Sequence, residues 1–406
     1  FGALFTGIII FSMMTVGLLS YIYFEEREEN PKEYYILLFL ATLGAAVLTI
    51  STHFMSLFIG LEVLSVSLYA LIAYLRNRNN AVESGMKYLV LAAVSSAFLL
   101  FGMALIYMET GTMEFSVIGN RIAQSTSSVM FILGFGIMIV AIGFKLALVP
   151  FHFWAADVYQ GAPSPVTAFI ATVSKIGVFA VLFRFAQSVN LPQYPLVINT
   201  FSVIAITSMI AGNLLALRQQ NIKRLMGYSS ISHLGYLLVA FLPGNSAGLE
   251  AAAFYLVAYS ITLLAVFGVI SVLSTRDKDA EDLNLYKGLF YKSPILTAVL
   301  TVSFLSLAGI PLTAGFIAKF FVLATGVQQY LWLPVLVLVI TSVIGLYYYL
   351  RVVSTFFAPA PAYGISIKIT YSFFHFATHA ALIILMILLL WLGIFPGMTV
   401  EGSREF

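Results

Sequence analysis

Lysine is the residue to start from. In GFKLALVPFHFW, Lys145 stands in an apolar run, five residues before Pro150 and seven before His152. Lys175 follows in TVSKIG, Lys319 in AGFIAKFFV and Lys87 in ESGMKYLVLAAV. Glu62 lies in LFIGLEVLSVSLY and His233 in SSISHLGYLLVA. Arginine stays protonated under any burial, but lysine is pushed toward neutrality by desolvation or a neighbouring cation. A row of lysines can therefore pass protons, each gain or loss altering its neighbour's affinity. Glu62 supplies the opposite sign. Lys87 approaching Glu62 would stabilise both charges, and their separation would release a proton, so this pair is a candidate electrostatic switch. The candidate proton relay is Glu62, Lys87, Lys145, Lys175, Lys319, His152 and His233.

Plainer roles compete for the same residues. Lys87 lies toward one end of its segment, where it could snorkel to the interface. Glu62 and a lysine could form a static salt bridge that fixes helix packing. His152 could stabilise the turn at Pro150, and His233 could be a hydrogen-bonded packing residue. Lys223, at a segment start, is expected at the membrane interface and is left out of the set. Asp157 and Tyr159, in DVYQGAPSP, read as loop architecture.

The surroundings make these charges expensive. The 406 residues are 61% hydrophobic and only 9% charged, against roughly 25% charged in a soluble domain. A bilayer core of about 30 Å needs about 20 apolar residues per helix, and runs of that length recur throughout. They lack the alternation of a membrane β-barrel. The expected fold is therefore an all-α polytopic membrane protein. Each ionisable group at membrane depth costs on the order of 2.5–3.5 kcal/mol, so Glu62 and the four lysines together forfeit roughly 12–17 kcal/mol. That rivals the net stability of a typical protein. Water-filled cavities or mutual pairing must compensate.

Twelve spans are expected, near 2–24, 34–52, 53–75, 81–108, 129–150, 164–187, 196–217, 222–242, 248–274, 292–326, 330–357 and 370–395. Only STHF offers a turn between the second and third. Lysine and arginine gather in the odd-numbered connections: Arg27, Lys32, Arg76, Arg78, Arg218, Arg224, Arg276, Lys278, Lys287, Lys292, Arg351 and Lys368. The even-numbered ones carry Arg121, with Arg184 near a helix end. By the positive-inside rule the odd connections are cytoplasmic and both chain ends face the periplasm. The loop EEREENPKE has five glutamates against Arg27 and Lys32, a net charge of −3. Acidic residues count little in that rule, so the assignment stands.

Two spans are interrupted. The fifth breaks at Pro150, and the tenth is too long for one crossing and breaks in SLAGIPLTAGF near Gly309 and Pro311. Proline removes a backbone donor, and broken helices are tolerated in membranes where they line protein or water. The breaks are five helices apart, an odd offset, so grouping the chain as 34–187 and 196–357 gives two inverted five-helix repeats. Residues 1–33 form an N-terminal helix with its acidic loop, and 370–395 a C-terminal helix. Inverted repeats with paired broken helices point to an ion path. The absence of cysteine excludes disulfides and thiolate-held iron–sulfur clusters in this chain. His375 and His379, at i, i+4 in FFHFATH, are read as a helix start rather than a haem or metal site, and no metal is expected.

At the broken helices the sequence resembles a known family. GFKLALVPFHFWAADVYQGAPSPVTAFIATVSKIGVF, NIKRLMGYSSISHLGYLLVA and SLAGIPLTAGFIAKFFVL are similar to the subunit N family of bacterial respiratory complex I, the proton-pumping NADH–quinone oxidoreductase (subunit 2 in mitochondria). The likeness extends to LFIGLEVLSVSLYALIAY, GMKYLVLAAVSSAFLLFGMALIYMETG and IGLYYYLRVV. It implies an antiporter-like membrane subunit with two inverted five-helix repeats. It also implies a glutamate matching Glu62, lysines matching Lys87, Lys145, Lys175 and Lys319, and a histidine matching His152, forming half-channels joined at mid-membrane. The family has fourteen helices in bacteria, so two N-terminal helices are expected to be missing here. NADH, FMN, iron–sulfur clusters and quinone are expected in partner subunits. The expected partners are sibling antiporter-like subunits and the small membrane subunits beside the quinone site, all in the bacterial inner membrane, with no nucleic acid. Two other readings stay open: a subunit of a multisubunit cation/proton antiporter, and a structural scaffold that keeps its buried charges only for packing.

Overall fold

In the computed structural model, residues 2–25, 27, 31–124, 129–359 and 373–396 are described. Lys368 and most of the acidic stretch 26–30 fall outside them. Apolar sequence with its backbone donors satisfied internally gives helix almost throughout. The chain runs as α1 (Gly2–Glu25), α2 (Lys32–Ile50), α3 (Phe54–Ile72), α4 (Asn79–Thr110), α5 (Phe115–Gln124), α6 (Val129–Leu146) and α7 (Phe153–Gly161). It continues as α8 (Ser164–Ser188), α9 (Pro195–Leu217), α10 (Ile222–Phe241), α11 (Ser246–Leu273), α12 (Pro294–Ala308), α13 (Ala314–Gln328), α14 (Trp332–Phe357) and α15 (Phe373–Ile394). Each expected span corresponds to one helix or, at the tenth, to a broken pair. The fifth is shorter than expected, because α6 stops four residues before Pro150. One element was not foreseen: α5 forms where only a connection was expected, burying Phe115, Ile118 and Ile122.

The turn in STHF is a helix cap. His53 Nδ1 accepts the Met55 amide at the start of α3, and the Ser56 hydroxyl donates to the His53 carbonyl. Close crossings of the bundle rest on glycine. A Cβ on Gly102 would lie 2.5 Å from the Gly134 carbonyl oxygen, so α4 and α6 touch backbone to backbone, as small residues allow in membranes.

Both expected breaks are present. After α6, Ala147 takes φ 57° and the chain turns before α7. After α12, Gly309 takes φ 81° and Leu312 φ 73° before α13 begins at Ala314. The connections sort to two ends of the bundle. At one end Arg78 reaches Asp279 and the Arg276 carbonyl, Arg27 reaches the Thr275 carbonyl, and Arg351 reaches the carbonyls of Leu217 and Gln219. At the other, His53 bridges Glu114 and Arg184 reaches the Thr49 carbonyl. Odd connections thus meet odd ones and even meet even, as alternate crossings require.

The middle of the bundle is α8, whose whole apolar length is buried, flanked by α1, α2 and α11. A helix buried all round is a core element, and α8 is the one that carries Lys175.

Candidate functional site

Lys145, Lys175 and Lys319 are all buried, at 3%, 1% and 7% exposure. None has a carboxylate within ion-pair distance among the described residues. Their partners are neutral. Lys145, in the last turn of α6, donates to Ser65 Oγ at 2.6 Å from α3. Lys175 donates to Ser230 Oγ on α10. Lys319 Nζ donates to the carbonyls of Leu307 at 2.8 Å and Ala308 at 3.1 Å. Those carbonyls are freed where α12 breaks, since the last turn of a helix has no internal partners for them. Each ammonium also lies 5.4–5.7 Å from a tyrosine ring: Tyr88, Tyr159 and Tyr236 respectively, within cation–π range.

Local structure places these amines. The turn before Lys175, Ile170–Ser174, is π-helical, a widened turn frequent at functional sites. Lys145 and Lys319 sit beside breaks, where irregular backbone offers unpaired polar groups.

From Lys175 a polar string continues through the interior. Ser230 Oγ also meets Tyr259 Oη at 2.8 Å and Tyr159 Oη at 3.1 Å. One turn on along α10, His233 Nδ1 meets Tyr255 Oη at 2.6 Å and Nε2 meets Tyr349 Oη at 3.0 Å. A cavity beside His233 is lined by Tyr255, Tyr259, Thr262, Ser306 and Lys319. It leaves about 10 Å³ for the centre of a water, room for about one molecule. His233 and Lys319 thus line one small cavity together with four hydroxyl side chains and the apolar Ala258, Leu307 and Ala318.

Chemically, these partners suit either protonation state. A hydroxyl accepts from an ammonium and donates to a neutral amine. Lys319 keeps two N–H groups when neutral, matching the Leu307 and Ala308 carbonyls, and its remaining position is a third N–H or a lone pair.

Glu62 is half-buried on α3. Its carboxylate accepts from Ser96 on α4. The expected Glu62–Lys87 pair is not formed. Lys87 is 44% exposed and pairs with Glu83 at 2.7 Å and Asp157 at 3.0 Å. It lies on the outward face of α4 with Met86 and Val90, one turn from Glu83, where i, i+4 neighbours meet. His152 caps the break, buried and stacked on Phe153 at 4.5 Å. Its Nδ1 has no hydrogen-bond partner among the described residues.

Lys223 stands in the first turn of α10, at the end of the bundle where the odd connections gather, and its side chain is packed inside the protein, donating to Asp279 Oδ2 at 2.7 Å and the Ala162 carbonyl at 2.6 Å. Asp279 also accepts from Tyr23 at 2.6 Å, Arg78 at 2.8 Å and Ser164 at 2.6 Å. Burial alone would raise the Asp279 carboxyl, but Lys223 and Arg78 outweigh it and hold the group well below the usual carboxylate range. Asp157 is likewise more than loop architecture: besides Lys87 it holds Arg224 at 2.7 Å. The tyrosines around His233 were also missed; Tyr255 and Tyr259 at i, i+4 on α11 were the available signal.

The membrane family described as NADH:quinone oxidoreductase/Mrp antiporter, TM, matches residues 51–345. NADH-quinone oxidoreductase subunit N of Methylococcus capsulatus is 45% identical, over 100% of this chain and 82% of the relative. In respiratory complex I from Thermus thermophilus with bound aureothin, one chain is 32% identical with a TM-score of 0.84, covering 98% of this chain and 85% of its own. A chain of the Mrp complex from Dietzia sp. shares the fold at 22% identity and a TM-score of 0.85, covering 98% of this chain and 82% of that one.

Proposed function

The chain belongs to the subunit N family of NADH-quinone oxidoreductase, the antiporter-like membrane subunits of proton-translocating complex I, and on that premise we propose that protons cross it through a Glu/Lys relay at mid-membrane. The relay comprises Glu62, Lys87, Lys145, Lys175, His233 and Lys319, with His152 at the first break. The observation that carries this reading is three buried lysines held by hydroxyls and carbonyls rather than carboxylates. A lysine kept only for packing gains most from a fixed counter-ion, because an unpaired buried charge is costly. These partners instead tolerate a change of protonation.

The present arrangement, with Lys87 on Asp157 and Glu62 on Ser96, is read as the open state of the Glu62–Lys87 switch. Redox chemistry in partner subunits, where NADH, FMN, iron–sulfur clusters and quinone would reside, alters the field at Glu62. The proton affinities of Lys145, Lys175 and Lys319 then change in turn. A proton is taken up on the cytoplasmic side, the face of the odd connections, near Lys145 or Lys175. It leaves on the periplasmic side near Lys319. Moving one charge against 100 mV costs about 2.3 kcal/mol, under two pKa units of lysine, which one displaced neighbouring charge in a low-dielectric site can supply. The halves 34–187 and 196–357 serve as the two inverted repeats. Sibling antiporter-like subunits and the small subunits beside the quinone site are the proposed neighbours.

The test is Lys175→Ala in the complete complex, assayed as protons moved per NADH oxidised in inside-out vesicles. A sharp fall with normal assembly is expected. An unaltered ratio removes Lys175 from the path and leaves the scaffold reading.

A further inference from the structure

The hydrogen bonds of Lys145 with Ser65 and of Lys175 with Ser230 are separate, with none joining the two lysines among the described side chains. We propose that α7, the short helix after the first break, couples the two lysines, with Asp157 as its positioning residue. This inference rests on the lysine relay argued above.

Three side chains of α7 reach three different parts of the site. Trp154 Nε1 donates to the Phe144 carbonyl at 2.9 Å, across the break and one residue before Lys145. Tyr159 Oη meets Ser230 Oγ at 3.1 Å, the hydroxyl that holds Lys175. Between them, Asp157 Oδ2 takes Lys87 of α4 and Oδ1 takes Arg224 of α10. Arg224 stands six residues before Ser230 on α10, and Gln160 Oε1 steadies its guanidinium at 3.1 Å.

The packing leaves α7 little freedom to move alone. A Cβ on Gly161 would lie 2.0 Å from Ser84 Oγ of α4, and the Ser84 hydroxyl donates to the Asp157 carbonyl at 3.0 Å. On the other side, a Cβ on Gly227 of α10 would lie 3.1 Å from the Ala156 Cα. A shift of α7 therefore moves Trp154 and Tyr159 together, at Lys145 and at Ser230. Asp157 fixes the resting place of that lever because it is bonded on both sides at once. When Lys87 leaves Asp157, α4 keeps α7 only through Ser84 and the Gly161 contact. A shift of α7 that this release allows is felt at both lysines without a direct bond between them.

The test uses complete complex in inside-out vesicles, reading protons moved per NADH oxidised. Asp157→Asn is expected to lower the ratio at least two-fold, and Asp157→Glu to recover more than half of the loss. Lys87 keeps Glu83 and Arg224 keeps Gln160 in Asp157→Asn, so assembly is expected to persist. An unchanged ratio in Asp157→Asn overturns the proposal, as does an equal loss in Asp157→Glu. Should Asp157→Asn reduce the amount of assembled complex, Tyr159→Phe decides: the same fall supports the coupling and an unchanged ratio overturns it. Lys175→Ala measured in parallel separates the two readings. Full pumping in Lys175→Ala defeats the relay itself, whereas loss there with wild-type pumping in Asp157→Asn and Tyr159→Phe defeats only the coupling by α7.

Discussion

Replacing Asp279 by alanine removes the acceptor that fastens one end of the bundle. Its carboxylate takes donors from α1 (Tyr23), the α3–α4 connection (Arg78), α8 (Ser164) and α10 (Lys223). The Lys223 side chain is 1% exposed and that of Asp279 5%, so the substitution leaves a buried ammonium with only the Ala162 carbonyl. Breaking a buried pair by removing one partner costs about 3–5 kcal/mol. At about 2.1 cal/mol/K per residue, 406 residues give an unfolding entropy of about 0.85 kcal/mol/K. The expected fall in Tm is therefore about 4–6 °C, read by thermal unfolding of the purified chain in detergent. Asp279→Ala with Lys223→Met removes the orphaned charge as well and is expected to recover part of the loss, a coupling that a double-mutant cycle isolates. The pH dependence has a definite sign. The carboxyl is held below its unfolded value near 3.9, so its contribution is complete above about pH 5 and is lost as pH falls through the depressed folded pKa. The acid-side slope is expected to be shallower in Asp279→Ala. A Tm change under about 1 °C, or no recovery in the double variant, refutes the fastening role.

Two further outcomes follow from the geometry. Ser230→Ala deletes the hydroxyl shared by Lys175, Tyr159 and Tyr259, and the ratio of protons to NADH in vesicles is expected to fall several-fold while native gels show intact complex. Gly102→Val puts a side chain where a Cβ would lie 2.5 Å from the Gly134 carbonyl; the α4–α6 crossing is expected to open, with assembled complex sharply reduced on native gels.

Much of this was legible in the sequence because charge is conspicuous against apolar surroundings. Lys145, Lys175 and Lys319 stood out by residue type alone, and both breaks announced themselves through Pro150 and the Gly309–Pro311 stretch. What spacing could not give is the direction in which a side chain leaves its helix. Lys87 shares a helix with Ser96, which does reach Glu62, yet Lys87 leaves from another face and meets Glu83 and Asp157 instead. Lys223 stands in the first turn of α10, as an interfacial residue would; the burial of its side chain there depends on Asp279, which is distant in sequence and sits among mixed charges in TRDKDAEDLN. The hydroxyl string was hidden for a different reason. Tyrosine and serine are ordinary in membrane helices, and only their convergence from α7, α10, α11 and α14 on His233 and Ser230 marks them. The short α5 carried an amphipathic pattern too brief to separate from a connection.

Exchange of protons among the buried amines, as proposed, requires ordered water in the interior. In a density map of the complete complex at a resolution that shows water, a molecule is expected in the cavity between His233 and Lys319. Further waters are expected to extend from Ser230 and Lys175 toward Lys145. A dry cavity, with apolar side chains closing the space between Lys175 and Lys319, contradicts that exchange.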